Sequence, residues 1–159
     1  MTKIRYEIDL SASPTDDQVE MDGVRTVSPA DLDALGDLML DAYMGTIDYD
    51  GEDYEDAVTE VGDFLAASPL LDHSYAVEVD GDLASAALVS LYDDQPFIGY
   101  VMTRAEHKGQ GLARTVTRRA LDSLAESGHE VVVFYITDGN LPSEALFRSL
   151  GARPTVDHH

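Results

Sequence analysis

Residues 97–113 read FIGYVMTRAEHKGQGLA, and this stretch decides the fold. Phe97–Thr103 is an apolar run bounded by turn residues, the pattern of a strand. Lys108-Gly109-Gln110-Gly111-Leu112-Ala113 follows. Next, Leu112, Val116, Ala120, Leu121 and Leu124 recur at helical spacing, with Gly128 as a C-terminal stop. A loop of small residues between a strand and a helix lets several backbone N–H groups converge at the helix N-terminus. Their dipoles favour an anion there, typically phosphate. Gly109 and Gly111 lack the Cβ that would hold a bulky pyrophosphate away. The P-loop pattern GxxxxGK[ST] is absent, and so is the third glycine of a dinucleotide fingerprint. Arg104, Lys108, Arg114, Arg118 and Arg119 gather half of the chain's ten basic groups within sixteen residues. This local reversal of charge favours an anion site over a plain glycine turn.

Outward from the loop, Val131–Thr137 (VVVFYIT) is nearly continuous apolar sequence, as in a buried central strand. Asp138-Gly139-Asn140 turns the chain, and a last helix runs from about Pro142 to Leu150 before Gly151. Upstream, Lys3–Leu10 alternates as a strand, and residues 11–23 are an acidic, turn-rich loop. Val24–Val27 reads as a short strand. Ser28-Pro29 opens a helix to about Tyr43, with Leu32, Leu35, Leu38, Met39 and Ala42 on one face. Residues 44–53 are a loop, and Tyr54–Ala67 a second helix that ends before Pro69. Ser74–Val79 and Leu83–Leu91 flank an Asp80-Gly81 turn as a hairpin. The order β-β-α-α-β-β-β-α-β-α makes a mixed α/β domain, one unit over residues 1–159.

Composition narrows the function classes. The 159 residues carry 31 acidic and ten basic side chains, a formal charge of −21. Nucleic acid and anionic membrane both call for basic surface, so neither is an expected partner. The absence of cysteine rules out a disulfide framework, a thiolate metal site and a cysteine nucleophile. No apolar run approaches a membrane span, and MTKIRYEIDLSASP has no apolar signal core. A cytoplasmic protein is therefore expected. The final pair His158-His159 is not read as a metal site.

The segment from Phe97 to Ala152 resembles the acetyl-CoA-binding half of the GNAT N-acetyltransferase superfamily. Lys108–Ala113 matches its Gln/Arg-x-x-Gly-x-Gly/Ala loop, with Lys in the place of Gln or Arg. Lysine supplies the charge without the planar fork. VVVFYIT matches the strand that splays away, Asn140 the Asn that follows it, and Ala145–Ala152 the closing helix, with Ala152 where Phe is usual. The resemblance implies a single domain with a mixed, mostly antiparallel central sheet, about four flanking helices and strands splayed at the cofactor site. It implies acetyl-CoA as cosubstrate, no metal, and direct attack by an amine on the thioester without a covalent enzyme intermediate. Lys108, Gly109, Gln110, Gly111, Leu112, Ala113 and Arg114 would hold the pyrophosphate. The pantetheine arm would bond main-chain groups near Val101 and Thr103, and Asn140 would contact the cofactor beyond the second strand.

The resemblance also marks departures. Phe147 stands where the family commonly has a Tyr that protonates the leaving thiolate, and Phe has no proton to give. Water, Tyr135 or Ser143 are the substitutes in sequence reach. Phe97–Thr103 carries no carboxylate to act as a base, which leaves Asp93, Asp94, Glu78 and His73 as neighbours, while Tyr100 is expected to line the site. The acceptor would meet the loop of residues 45–54, where Asp48 and Tyr49 suit a cationic amine through charge and cation–π contact. A small-molecule or peptide amine is the expected acceptor. The few residues after Gly151 leave the sheet short of a strand, to be supplied by Lys3–Leu10 or by a second subunit in a homodimer. A CoA-binding accessory domain without activity, or a domain for another phosphate ligand, are the competing readings.

Overall fold

Alternation in the first strand buries Tyr6 and Ile8 while Lys3 and Asp9 stay exposed, and this strand pairs with the far end of the chain. The computed structural model describes residues 3–10, 23–44 and 51–155. Asp48, Tyr49 and the terminal histidine pair lie outside them. In chain order the elements are β1 (Lys3–Asp9), β2 (Val24–Thr26), α1 (Leu32–Tyr43), α2 (Tyr54–Ala66), β3 (Tyr75–Val79), β4 (Asp82–Tyr92), β5 (Gln95–Thr103), α3 (Leu112–Glu126), β6 (Val131–Thr137), α4 (Leu141–Ser149) and β7 (Arg153–Pro154). The order matches the sequence expectation, with the two-residue β7 added.

The strands form one sheet in the order β2-β3-β4-β5-β6-β1-β7. All pairings are antiparallel except β5 with β6. Strand β1 completes the sheet beside β6, in register from Lys3 opposite Thr137 to Asp9 opposite Val131. Strand β7 then pairs with the outer edge of β1 at Tyr6 and Glu7.

Both faces of the sheet are covered, so β4 is apolar on both sides rather than alternating. Leu83, Ala86 and Leu88 pack with Leu35, Leu38, Val61 and Phe64 beneath α1 and α2. Ala84, Ala87 and Val89 pack with Val116, Ala120, Leu124 and Phe147 beneath α3 and α4. Helix α2 starts on an acidic capping box: Asp53 accepts from the Asp56 N–H at 2.9 Å, and Asp56 accepts from the Asp53 N–H at 3.1 Å.

The step from β2 into α1 is fixed by Asp31. Its carboxylate accepts from both terminal nitrogens of Arg25 at 2.8 Å and from the Ser28 N–H at 2.9 Å. The Arg25 hydrogen bonds, stronger than the opposing burial, hold this carboxyl below the usual carboxylate range. A carboxyl depressed in the folded state stabilises above its unfolded value, and that contribution is lost as pH falls through about 4 and below. Asp31→Asn is expected to cost about 1–2 kcal/mol at pH 7 and progressively less toward pH 3. Urea denaturation of both proteins across that range checks this; a pH-independent difference contradicts it.

Candidate active site

Strands β5 and β6 run parallel but meet only where Phe97 stands opposite Val133. Beyond that point they diverge, and a two-lobed cleft opens between them. One lobe, of about 800 Å³, runs to the glycine loop. The other, of about 380 Å³, lies toward α1, α2 and β1. Tyr43, Val101, Asn140, Ser143 and Phe147 border both, so the lobes share a waist.

The larger lobe collects most of the residues expected at a cofactor. Val101, Thr103, Lys108, Gly109, Gly111, Leu112, Ala113, Arg114 and Asn140 all line it. Gln110 does not, and its side chain meets His107 Nδ1 at 3.3 Å. Gly109 and Gly111 have φ of +85° and +80°, where a side chain is strained. A Cβ at either would meet no atom within 4 Å. The loop therefore faces open space, as a cradle for a close-approaching group does. Gly111 caps α3, whose first bond runs from the Thr115 N–H to the Gly111 carbonyl at 3.0 Å. The amides of Leu112, Ala113 and Arg114 precede that bond and point out of the helix end.

The basic cluster read from the sequence is not one patch. Arg104 turns back onto α1, donating to Asp37 at 2.9 Å and to the Leu83 carbonyl at 3.1 Å. Arg118 pairs with Asp122 at 3.7 Å, and the Arg119 guanidinium lies 5.3 Å from the Tyr75 ring centroid. Only Lys108 and Arg114 of the five border the lobe. The Lys108 ammonium donates to the Ala42 carbonyl at 3.0 Å, at the C-terminal end of α1 where cations are favoured. This contact ties the loop to α1. Arg114 donates to Ser149 Oγ at 2.6 Å, bridging α3 to α4.

The smaller lobe is polar and tyrosine-rich: Tyr43, Tyr100 and Tyr135 line it with Glu52, Glu60 and Lys3. The Tyr100 hydroxyl donates to Glu60 Oε1 at 2.8 Å. Burial, helped by the Glu60 carboxylate, pushes the Tyr100 phenol well above its ordinary range. Tyr100 therefore stays protonated and acts as a donor, not as a base. Strand β5 carries a bulge beside it, since Leu88 opposes Tyr100 while Val89 opposes Ile98. Gly99 is the extra residue, and a bulge of this kind breaks the ladder locally and frees main-chain polar groups. Gly99 borders the same lobe.

The carboxylates suggested by sequence proximity lie elsewhere. Asp93 and Asp94 form the β4–β5 turn with positive φ, Glu78 accepts from Arg25 at 3.2 Å, and His73 Nδ1 lies 2.6 Å from Ser123 Oγ. None of the four borders either lobe. Glu60 does, and the sequence reading missed it. The available signal was its place on α2, three residues after Ala57 and four before Phe64, beside the packed stripe. Phe147 is 5% exposed and stacks on Phe134 with centroids 4.0 Å apart. It forms the waist as an apolar wall. Tyr135 and Thr137 from β6 and Ser143 from α4 bring hydroxyls to the lining of the smaller lobe.

The sequence profile of the Acetyltransferase (GNAT) family matches residues 33–152. The chain belongs to the GNAT family. Its fold is similar to that of a GCN5-related N-acetyltransferase from Sphaerobacter thermophilus, with a TM-score of 0.74 at 18% identity over 96% of this chain and 48% of that one. This chain thus spans about half the length of that GNAT protein. The ribosomal-protein-S18-alanine N-acetyltransferase of Escherichia coli gives a TM-score of 0.66 at 15% identity, covering 86% of this chain and 95% of that one. The PaiA N-acetyltransferase of Thermoplasma acidophilum, solved in complex with coenzyme A, gives 0.62 at 14% identity, covering 80% and 86%. No curated protein sequence matches the chain. Among the described residues no helix is long and apolar enough to cross a membrane, and no group of three or more His, Asp or Glu could hold a metal ion.

Because burial keeps the Tyr100 phenol protonated, an alkaline limb in the pH–rate profile of this GNAT domain does not belong to it. Tyr100→Phe is expected to lower kcat/KM for acetyl transfer by up to about tenfold through loss of the bond to Glu60. The shape of the profile above pH 8 stays that of the parent. A limb that disappears in the variant contradicts the assignment.

Proposed function

We propose that the chain is an N-acetyltransferase that moves an acetyl group from acetyl-CoA to an amine by direct attack in a ternary complex. The observation that carries the reading is the continuity of the cleft. A glycine cradle at a helix N-terminus leads between two diverging strands to a bulged strand edge and a carboxylate-bearing lobe. The amides from Gly109 to Arg114 receive the pyrophosphate. The inner edge of β5 near Val101 and Thr103 offers main-chain groups to an extended arm, as an exposed sheet edge does to an added strand. Acetyl-CoA supplies the activated thioester.

The main chain at the Gly99 bulge is positioned to polarise the thioester carbonyl, and positioning carries most of the rate. Glu60, fixed by the Tyr100 hydroxyl, holds the amine and accepts its proton directly or through water. The leaving thiolate departs past Phe147 without a side-chain acid at that position. A thiol of ordinary acidity, with a pKa near 8.5, tolerates this. Phe147 is also what favours the second reading, a CoA-binding domain without transferase activity.

Thermal denaturation with acetyl-CoA tests binding, and thiol release with amines separates the two readings. Acetyl-CoA at one hundred times its Kd is expected to stabilise by about 2.7 kcal/mol, a shift of several degrees. Gly111→Val is expected to cost about 1–3 kcal/mol and to abolish that shift. Gly128 has φ of +88° and equally open surroundings, but stands outside the cleft. Gly128→Val pays a similar conformational cost and keeps the ligand shift. Equal losses of the shift in both variants contradict the cradle.

A further inference from the structure

We infer that the acceptor is a small zwitterion, an amine that also carries a carboxylate, of the free amino-acid type. This deepens the acetyltransferase reading and rests on it. The chain has two lysines among 159 residues, Lys3 and Lys108. The structure sets one against each lobe of the same cleft. Lys108 is spoken for by the Ala42 carbonyl. Lys3 has no hydrogen-bonding or ionic partner among the described residues, and it is the one basic side chain lining the smaller lobe.

The position of Lys3 follows from register. It stands opposite Thr137 on the antiparallel β1–β6 ladder, and directly opposed residues share a face. Thr137 and Tyr135 lie two apart on β6, so they point to one side, and both line the lobe. Arg5, the next residue of β1 on that side, is bonded through Nη1 to Thr155 Oγ1 at 3.0 Å. Lys3 alone therefore brings positive charge to the β1–β6 wall. The α2 side of the lobe brings Glu60, held by Tyr100 at 2.8 Å, and Glu52 borders it as well.

The lobe is thus polarised, with carboxylates toward α2 and the Gly99 bulge and an ammonium toward β1. A ligand with a cation alone would meet Lys3 as repulsion, and one with an anion alone would meet Glu52 and Glu60. A zwitterion satisfies both. Its nitrogen sits at Glu60, beside the bulge, and its carboxylate at Lys3. A volume of about 380 Å³ suits a small molecule. In the reaction the ammonium first gives up a proton toward Glu60. The amine nitrogen bonds to the acetyl carbon, and the C–S bond breaks with its electron pair left on sulfur. A second proton leaves the nitrogen, and one proton ends on the thiolate, so one is released overall.

The test compares free amino acids with their decarboxylated amines and their carboxamides, by thiol release from acetyl-CoA. The parent is expected to prefer the amino acid over its matched amine by about tenfold or more in kcat/KM, mostly through KM. Lys3→Arg keeps that preference, Lys3→Gln collapses it toward one, and Lys3→Glu reverses it. Each variant is checked for an intact melting transition and an intact acetyl-CoA shift, which report the fold and the other lobe. A matched amine that equals or exceeds the amino acid overturns the inference. So does a preference that survives Lys3→Gln, or acetylation of peptide N-termini but of no free amino acid. Those results leave the acetyltransferase reading standing. Absence of both an acetyl-CoA shift and any thiol release overturns the two together.

Discussion

Two parallel strands that begin paired and end apart are the constraint on which this molecule turns. Phe97 and Val133 hold β5 and β6 together at one end, and the divergence that follows leaves strand edges without their usual partners. Backbone donors and acceptors of that kind are costly to leave unmet away from water. The surrounding structure keeps the strands from closing. Helix α1 reaches the glycine loop through the Lys108–Ala42 and Ala105–Asp41 hydrogen bonds. Phe147 fills the waist, stacked on Phe134, which in turn stacks on Tyr6 with centroids 5.8 Å apart. The wedge is held open by apolar packing on one side and polar ties on the other.

The two sides of the sheet divide the work. The α3–α4 face provides rigidity near the cradle, since Val116, Ala120 and Leu124 are buried without gaps in the helical stripe. The α1–α2 face provides polar groups to the smaller lobe, because Tyr43, Glu52 and Glu60 come from there. A chain this acidic needs some way to make a single carboxylate distinct from the other thirty. The Tyr100 hydroxyl does so for Glu60, by fixing one oxygen beside the bulged strand.

Much of the fold was legible because its signals are local. KIRYEIDL alternates, VVVFYIT runs apolar, and Gly111 and Gly128 bracket a helix, so each element announces itself within a dozen residues. The cradle was legible for the same reason, since its glycines and the helix they open are contiguous. What sequence proximity could not convey was direction. Arg104, Arg118 and Arg119 sit near the loop in the chain and point away from it in space. Glu60 and Lys3 sit far from it in the chain and face the cleft. In a sequence with 31 acids, nothing but helical phase marks Glu60 out. Strand β7 was missed because two residues carry no periodicity.

The placement of β1 has a consequence for how the protein is made. Lys3 pairs with Thr137, so β1 must wait for β6, far along the chain, before its ladder can form. Contacts so distant along the chain close slowly, because loop entropy must be overcome before they form. During translation the partly made chain holds an unsatisfied edge and an incomplete wall to its cleft. The pocket side of β6 is finished only when β1 and β6 meet, which couples the closing of the cleft wall to the synthesis of β6.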